Sequence, residues 1–137
     1  MVNQIYDVIV LGGGPAGENA ADSAQRNGLS AVVVERELVG GECSYWACMP
    51  SKALLRPPQV LDEARRVPGA AAAVTGDVDV AATLRSRDAF ASHWDDDGQR
   101  QWLDGVGVAL VRGVGRLAGP RRVAVEQAGG ERVTLQA

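Results

Sequence analysis

Between an apolar run and a helical pattern lies Gly12-Gly13-Gly14-Pro15-Ala16-Gly17, a G-x-G-x-x-G turn that few folds can use. The preceding Tyr6–Leu11 (YDVIVL) is short and almost wholly apolar, which predicts a parallel strand buried on both faces. Pro15 to Asn27 predicts a helix. Proline is tolerated in a first turn, where its missing N–H costs no bond, and Gly28 supplies a stop. Gly17, Ala20, Ala21 and Ala24 recur at three- and four-residue spacing, so one helix face is small enough to lie close on a sheet. Ala31 to Glu35 (AVVVE) predicts the next buried strand. In this setting each glycine of the motif has a task. Gly12 permits the tight exit from the strand, Gly14 leaves the backbone bare for a pyrophosphate, and Gly17 lets helix and strand touch. Free N–H groups at the helix start face the phosphates. Glu35 ends the second strand eighteen residues after Gly17 and offers a carboxylate to both hydroxyls of a ribose. It would repel a 2′-phosphate, which favours FAD or NAD over NADP at this site.

Downstream, Ser51 to about Val67 predicts a helix with Leu54 and Leu55 on its apolar side, and Pro57-Pro58 predicts a kink or a break in it. The Ala- and Gly-rich stretch from Pro68 to Gly76 reads as a connection. Asp79 to about Trp102 predicts one long helix or two shorter ones, with Asp95-Asp96-Asp97-Gly98 as a break or exposed corner. Val106 to Arg112 predicts a third strand. Leu117, Arg121 to Glu126 and Arg132 to Gln136 predict short strands of a small antiparallel meander, with Val123 and Val125 on one face. The expected fold class is α/β, a Rossmann-like parallel sheet with helices plus that meander. A chain of 137 residues, 46% hydrophobic and 23% charged, suffices for one globular domain. A net charge of -3 gives nucleic acid no bulk electrostatic attraction, and pairs such as Arg65-Arg66 read as solvated faces. No apolar run approaches membrane-spanning length, and the N-terminal run, interrupted by Asp7, lacks the basic leader of a signal peptide. A cytoplasmic location is expected.

Cys43 and Cys48, the only cysteines, have four residues between them in Gly40-Gly41-Glu42-Cys43-Ser44-Tyr45-Trp46-Ala47-Cys48-Met49-Pro50. In a reducing compartment such a pair is reactive more often than structural. Positions five apart in a regular helix do not superpose, so the sulfurs bond only if the turn between them is irregular or a helix begins there. A strained bridge of that kind is easily reduced, and a helix N-terminus would favour a thiolate at Cys48. Zinc would want about four ligands. His93, the only histidine, is expected in a distant helix. Trp46 either packs or shields the pair.

These residues together resemble the class I pyridine nucleotide-disulfide oxidoreductases, the family of dihydrolipoamide dehydrogenase, glutathione reductase and mercuric reductase. The family pattern, G-G-x-C, four residues, then C-x-P-S-K, is met by Gly40-Gly41-Glu42-Cys43 and Cys48-Met49-Pro50-Ser51-Lys52. The resemblance covers essentially the whole chain as the N-terminal FAD-binding part. It implies FAD as cofactor, NAD(P)H as co-substrate and a disulfide or other small redox acceptor as partner. It also implies a homodimer, with neither nucleic acid nor membrane involved. Cys48 would face the flavin, Cys43 would meet the substrate, and Lys52 would lie near the flavin N5 edge. Gly12, Gly14 and Gly17 would hold the pyrophosphate, with Pro15 and Ala16 also in the cofactor set. Glu35 would serve the adenosine ribose, Arg36, Gly41 and Glu42 would join the cofactor set, and Gly115 would make a backbone contact near the adenine from a turn. The chain departs from the pattern at Tyr45-Trp46-Ala47, where many relatives carry Asn-Val-Gly or Asn-Arg-Gly, and Ala47 limits any left-handed backbone there. The family's returning strand, its NAD(P)-binding domain and its interface domain find no match. The expectation is therefore an incomplete FAD domain that alone binds FAD poorly. Two other readings stand beside it: a quinone- or diaphorase-type flavoprotein without thiol cycling, and an inert or nucleotide-binding-only chain.

Overall fold

The computed structural model describes residues 4–137. Along the chain lie β1 (Gln4–Ile5), β2 (Val8–Leu11), α1 (Pro15–Arg26), β3 (Ala31–Glu35), α2 (Gly41–Tyr45), α3 (Cys48–Arg66) and a 3-10 turn at Ala71–Ala73. There follow α4 (Val80–Phe90), a 3-10 turn at Ser92–Trp94, α5 (Asp97–Gly105), β4 (Ala109–Arg112), β5 (Val114–Leu117), β6 (Arg122–Glu126) and β7 (Arg132–Gln136). The chain divides into two compact units, one running up to Gly41 and resuming at Asp96–Ala137, the other Glu42–Asp95.

The first unit is an α/β layering around β3, all five of whose residues are buried. β2, β3 and β4 form a parallel sheet in that order, with Ile9 opposite Val32 and Val33 opposite Leu110. Period-two alternation splits its apolar residues between two cores. Ala31 and Val33 join Ala21 of α1, Val39, Leu103 of α5 and Val108 on one face, with Val8, Val10 and Leu110 beside them. Val32 and Val34 join Val123, Val125 and Leu135 on the other, with Ile9, Ala109 and Val111. Cover on both faces is why the strands read as nearly continuous apolar runs. The second sheet has the order β1-β7-β6-β5. Its antiparallel meander gains β1, paired in parallel with β7.

Several boundaries differ from expectation. Parallel pairing begins at Val8, and Val106-Gly107-Val108 forms the turn out of α5 rather than a strand. On α1 the face toward the core is Gly17, Ala21 and Ala24, while Ala20 is exposed. The acidic stretch is a break before α5 and is exposed at Asp95, Asp97 and Gly98, but its second aspartate is not: Asp96 is 6% exposed.

In the second unit α3 packs on α4, and the buried residues are Tyr45, Pro50, Ala53 and Ala91. α3 starts at Cys48 and runs through Pro57 and Pro58 without breaking in two. The packing against α4 offsets the lost backbone bond that argued for a break. Asp79 caps α4 by accepting the Ala82 N–H at 2.9 Å, and Arg65 pairs with Asp77 at 2.9 Å across the intervening loop. A groove of about 740 Å³ lies along α3, bordered by Met49, Lys52, Leu55, Val60 and Phe90. His93 sits in a 3-10 turn whose three residues have left-handed backbones, not in a regular helix, and is exposed. Among the described residues no helix is long and apolar enough to cross a membrane.

Candidate functional site

In the first unit the glycine turn is built by contact. Gly12 adopts φ 102°, which turns the chain sharply out of β2. A Cβ on Gly17 would overlap the carbonyl oxygen of Gly12, so α1 can begin this close to the turn only with glycine there. Gly14 differs: it is the N-cap of α1, and a Cβ built on it meets nothing within 4 Å. No side chain caps α1 at Gly14, and Pro15, the first helical residue, has no N–H. The first turn of this 12-residue helix therefore has no side-chain cap on its donors. Ala16 is exposed at the same end. Glu18, one turn in, has Oε1 buried without a hydrogen-bond partner among the described residues, and burial pushes its carboxyl above the usual range.

Glu35 is 8% exposed and already engaged. Its Oε2 accepts the Gly13 N–H at 2.6 Å and its Oε1 the Glu37 N–H at 2.7 Å. Each oxygen keeps a further lone pair for an outside donor. The next loop lies directly on the turn: Gly40 N–H donates to the Gly13 oxygen at 2.7 Å, and a Cβ on Gly41, at φ 55°, would come within 2.9 Å of the Gly14 Cα. Arg36 is exposed and pairs with Glu37 at 3.5 Å. Open approach at Gly12 and Gly14, an uncapped helix start and a carboxylate on the next strand together suit a diphosphate joined to a ribose.

Two residues of this region escaped sequence reasoning. Asp96 accepts the Val39 N–H at 2.7 Å and pairs with Arg112, whose guanidinium also donates to the Glu37 carbonyl. Val39 and Asp96 are 57 residues apart, so no local pattern marks the contact. Gly115 lies in β5 opposite Val125, not in a turn. A Cβ there would press on Leu11 at 2.7 Å and on Val34 at 3.0 Å, so close sheet packing accounts for the glycine.

In the second unit the thiols flank a helix break. Cys43 lies in α2, Cys48 is the first residue of α3, and Trp46-Ala47 stands between. The Ala47 N–H reaches back five positions to the Glu42 oxygen at 2.6 Å, a wide turn that ends α2. The backbone of Ala47 has φ -121°, so alanine meets no left-handed requirement here. Both thiols are half-buried. Trp46 is 45% exposed, its ring edge-on to Tyr45 at 5.6 Å between centroids. The Tyr45 hydroxyl donates to the Asp95 oxygen at 3.4 Å, and Ser51 Oγ donates to the Cys48 oxygen at 3.2 Å. Cys48 and Lys52 are four residues apart in α3 and share a face, with Lys52 exposed. Glu42 is exposed in the first turn of α2.

Residues 6–135 match the family described as pyridine nucleotide-disulphide oxidoreductase. A dihydrolipoyl dehydrogenase of Zymomonas mobilis is 35% identical over 134 residues, 96% of this chain and 28% of that protein. One of Rhizobium etli is 54% identical over 59 residues, 43% of this chain and 12% of that protein. In fold, the chain is similar to the HOCl-induced flavoprotein disulfide reductase RclA of Escherichia coli, solved as a Cu(II) complex. The TM-score is 0.75 at 15% identity, covering 98% of this chain and 27% of that one. The chain thus spans between about an eighth and just over a quarter of the length of these relatives.

Proposed function

Because the chain belongs to the pyridine nucleotide-disulphide oxidoreductase family, we propose that it holds FAD at the glycine turn and that electrons pass between that flavin and the Cys43–Cys48 thiols. The observation that carries this reading is the uncapped start of α1, open at Gly12 and Gly14, with the Glu35 carboxylate against Gly13. The α1 donors would take the pyrophosphate oxygens, and the spare lone pairs of Glu35 would take the ribose hydroxyls. Arg36, Gly41 and Glu42 would border the same cofactor.

Bound flavin supplies a two-electron centre. On the protein side, joining the two sulfurs releases two electrons and two protons, and opening the bond takes them up again. The break at Trp46-Ala47 frees the pair from regular helix spacing, which would hold the sulfurs apart. Cys48, at the start of α3, is assigned the flavin side and Cys43 the acceptor side. Lys52, one turn further on the same face, contributes a positive charge beside Cys48. Exchange with NAD(P)H, a disulfide or other small redox acceptor, and homodimerisation belong to this proposal for a longer protein; the chain matches 28% of the length of the Zymomonas relative.

Two measurements test the reading. Free FAD should protect the chain from limited proteolysis, weakly but saturably. Anaerobic dithionite titration of the FAD-loaded chain should consume two electrons beyond those of the flavin, and Cys43→Ser should abolish that excess. Unchanged cleavage at saturating FAD would favour an inert chain. Protection without the extra electrons would favour a flavoprotein whose thiols do not cycle.

A further inference from the structure

Asp96 breaks a local rule. Aspartate at a helix N-cap ordinarily turns its carboxylate onto its own first-turn N–H groups, yet at the start of α5 it makes no such bond. Its Oδ2 instead accepts the Val39 N–H at 2.7 Å and meets the Arg112 guanidinium. The carboxylate is buried, its side chain 7% exposed against 36% for Arg112, so it has given up water as well as its cap. Arg112 ends β4 opposite Glu35 and reaches the Glu37 carbonyl with its other terminal nitrogen. The pair therefore grips the loop between β3 and α2 at two backbone points, Glu37 and Val39. The far end of that loop is what touches the glycine turn, through Gly40 on the Gly13 oxygen and Gly41 against the Gly14 Cα.

We propose that Asp96 and Arg112 are positioning residues for the nucleotide cradle: a buried ion pair that fixes the 36–41 loop and so sets the shape of the turn at Gly13 and Gly14. Neither residue contacts the ligand; both act through the loop. The inference rests on the FAD reading for what the cradle holds, but the latch itself stands on the contacts within this unit. A helix cap given up to hold a remote backbone N–H is the kind of local inconsistency that marks a site fixed for another purpose.

The test uses the full chain with Asp96→Asn, Arg112→Met and Arg112→Lys. Amide hydrogen exchange reads the latch, and FAD titration reads the cradle. Asp96→Asn and Arg112→Met should each speed exchange at Val39, Gly40 and Gly41 at least tenfold, with the amides of β2, β3 and β4 within twofold of wild type. Both should weaken FAD at least tenfold, the double variant should be no weaker than the worse single one, and Arg112→Lys should recover part of the loss. Exchange at 39–41 that does not change, or that rises equally in the strands, would overturn the latch. A loosened loop with FAD affinity within twofold of wild type would overturn its role in the cradle. Wild-type chain that binds no FAD would overturn the FAD reading and the cradle role, while the exchange data would still decide the latch.

Discussion

Gly17 and Gly14 occupy the same motif for different reasons. Gly17 is required by the Gly12 carbonyl beside it, whereas no protein atom restricts a side chain at Gly14. Gly17→Ala should therefore lower stability by about 3 kcal/mol, the cost of overpacking against a backbone that cannot yield. Gly14→Ala should cost about 1 kcal/mol or less, the loss of a glycine N-cap, while weakening FAD at least tenfold. Urea unfolding and FAD titration separate the two, and a Gly14→Ala loss as large as that of Gly17→Ala would refute the distinction. The motif was legible as a string, but only the contacts divide it into a packing glycine and an open one. At Ala47 the structure removes a difficulty: the expected conflict with a left-handed backbone does not arise at φ -121°.

At the scale of elements, a carboxylate–serine contact joins the entries to β2 and β3. The Asp7 carboxylate accepts from the Ser30 N–H at 2.8 Å and from its hydroxyl at 2.7 Å, which holds its pKa below the ordinary 3.8. A lowered folded pKa means a contribution present above the unfolded value and lost as pH falls through the folded one. Asp7→Asn should lower the melting temperature at pH 7, and the difference should close as pH falls below the ordinary 3.8 and through the lowered value. Glu18 on α1 has the opposite sign. Burial raises its pKa above the ordinary 4.5, so its contribution is present at low pH and lost as pH rises through the raised value. Glu18→Gln should raise the melting temperature at pH 7 and give no gain below about pH 4. Thermal unfolding across pH reads both, and parallel curves for either pair would contradict the assignment. Element boundaries were harder to read. Pro57-Pro58 argued for a kink or a break in α3; the helix does not break, and packing on α4 carries it through. Three aspartates suggested an exposed corner, and Arg112 drew the middle one inside.

Taken by themselves, the two units differ in what holds them. The first has two valine-rich cores on either side of β3. The second buries little beyond Tyr45, Pro50, Ala53 and Ala91, while Leu55, Val60 and Phe90 remain exposed. Local opening follows buried apolar contact, so amides of β2, β3 and β4 should exchange at least tenfold more slowly than those of α4. Exchange measured by mass spectrometry checks this, and equal protection would mean that the second unit is held as firmly as the first.

What the sequence determined by itself is whatever one short stretch of backbone enforces: the glycine turn between strand and helix, the buried strands, the meander alternation, and the spacing of Cys43, Cys48 and Lys52. Sterics, strand period and helix period act over a few residues, and a string of residues records them directly. The tertiary structure alone decided which distant groups meet. Asp96 abandons its cap for Val39, Arg112 bridges to Glu37, and Gly115 yields space to Leu11 and Val34, because burial rewards a satisfied partner wherever the chain brings one.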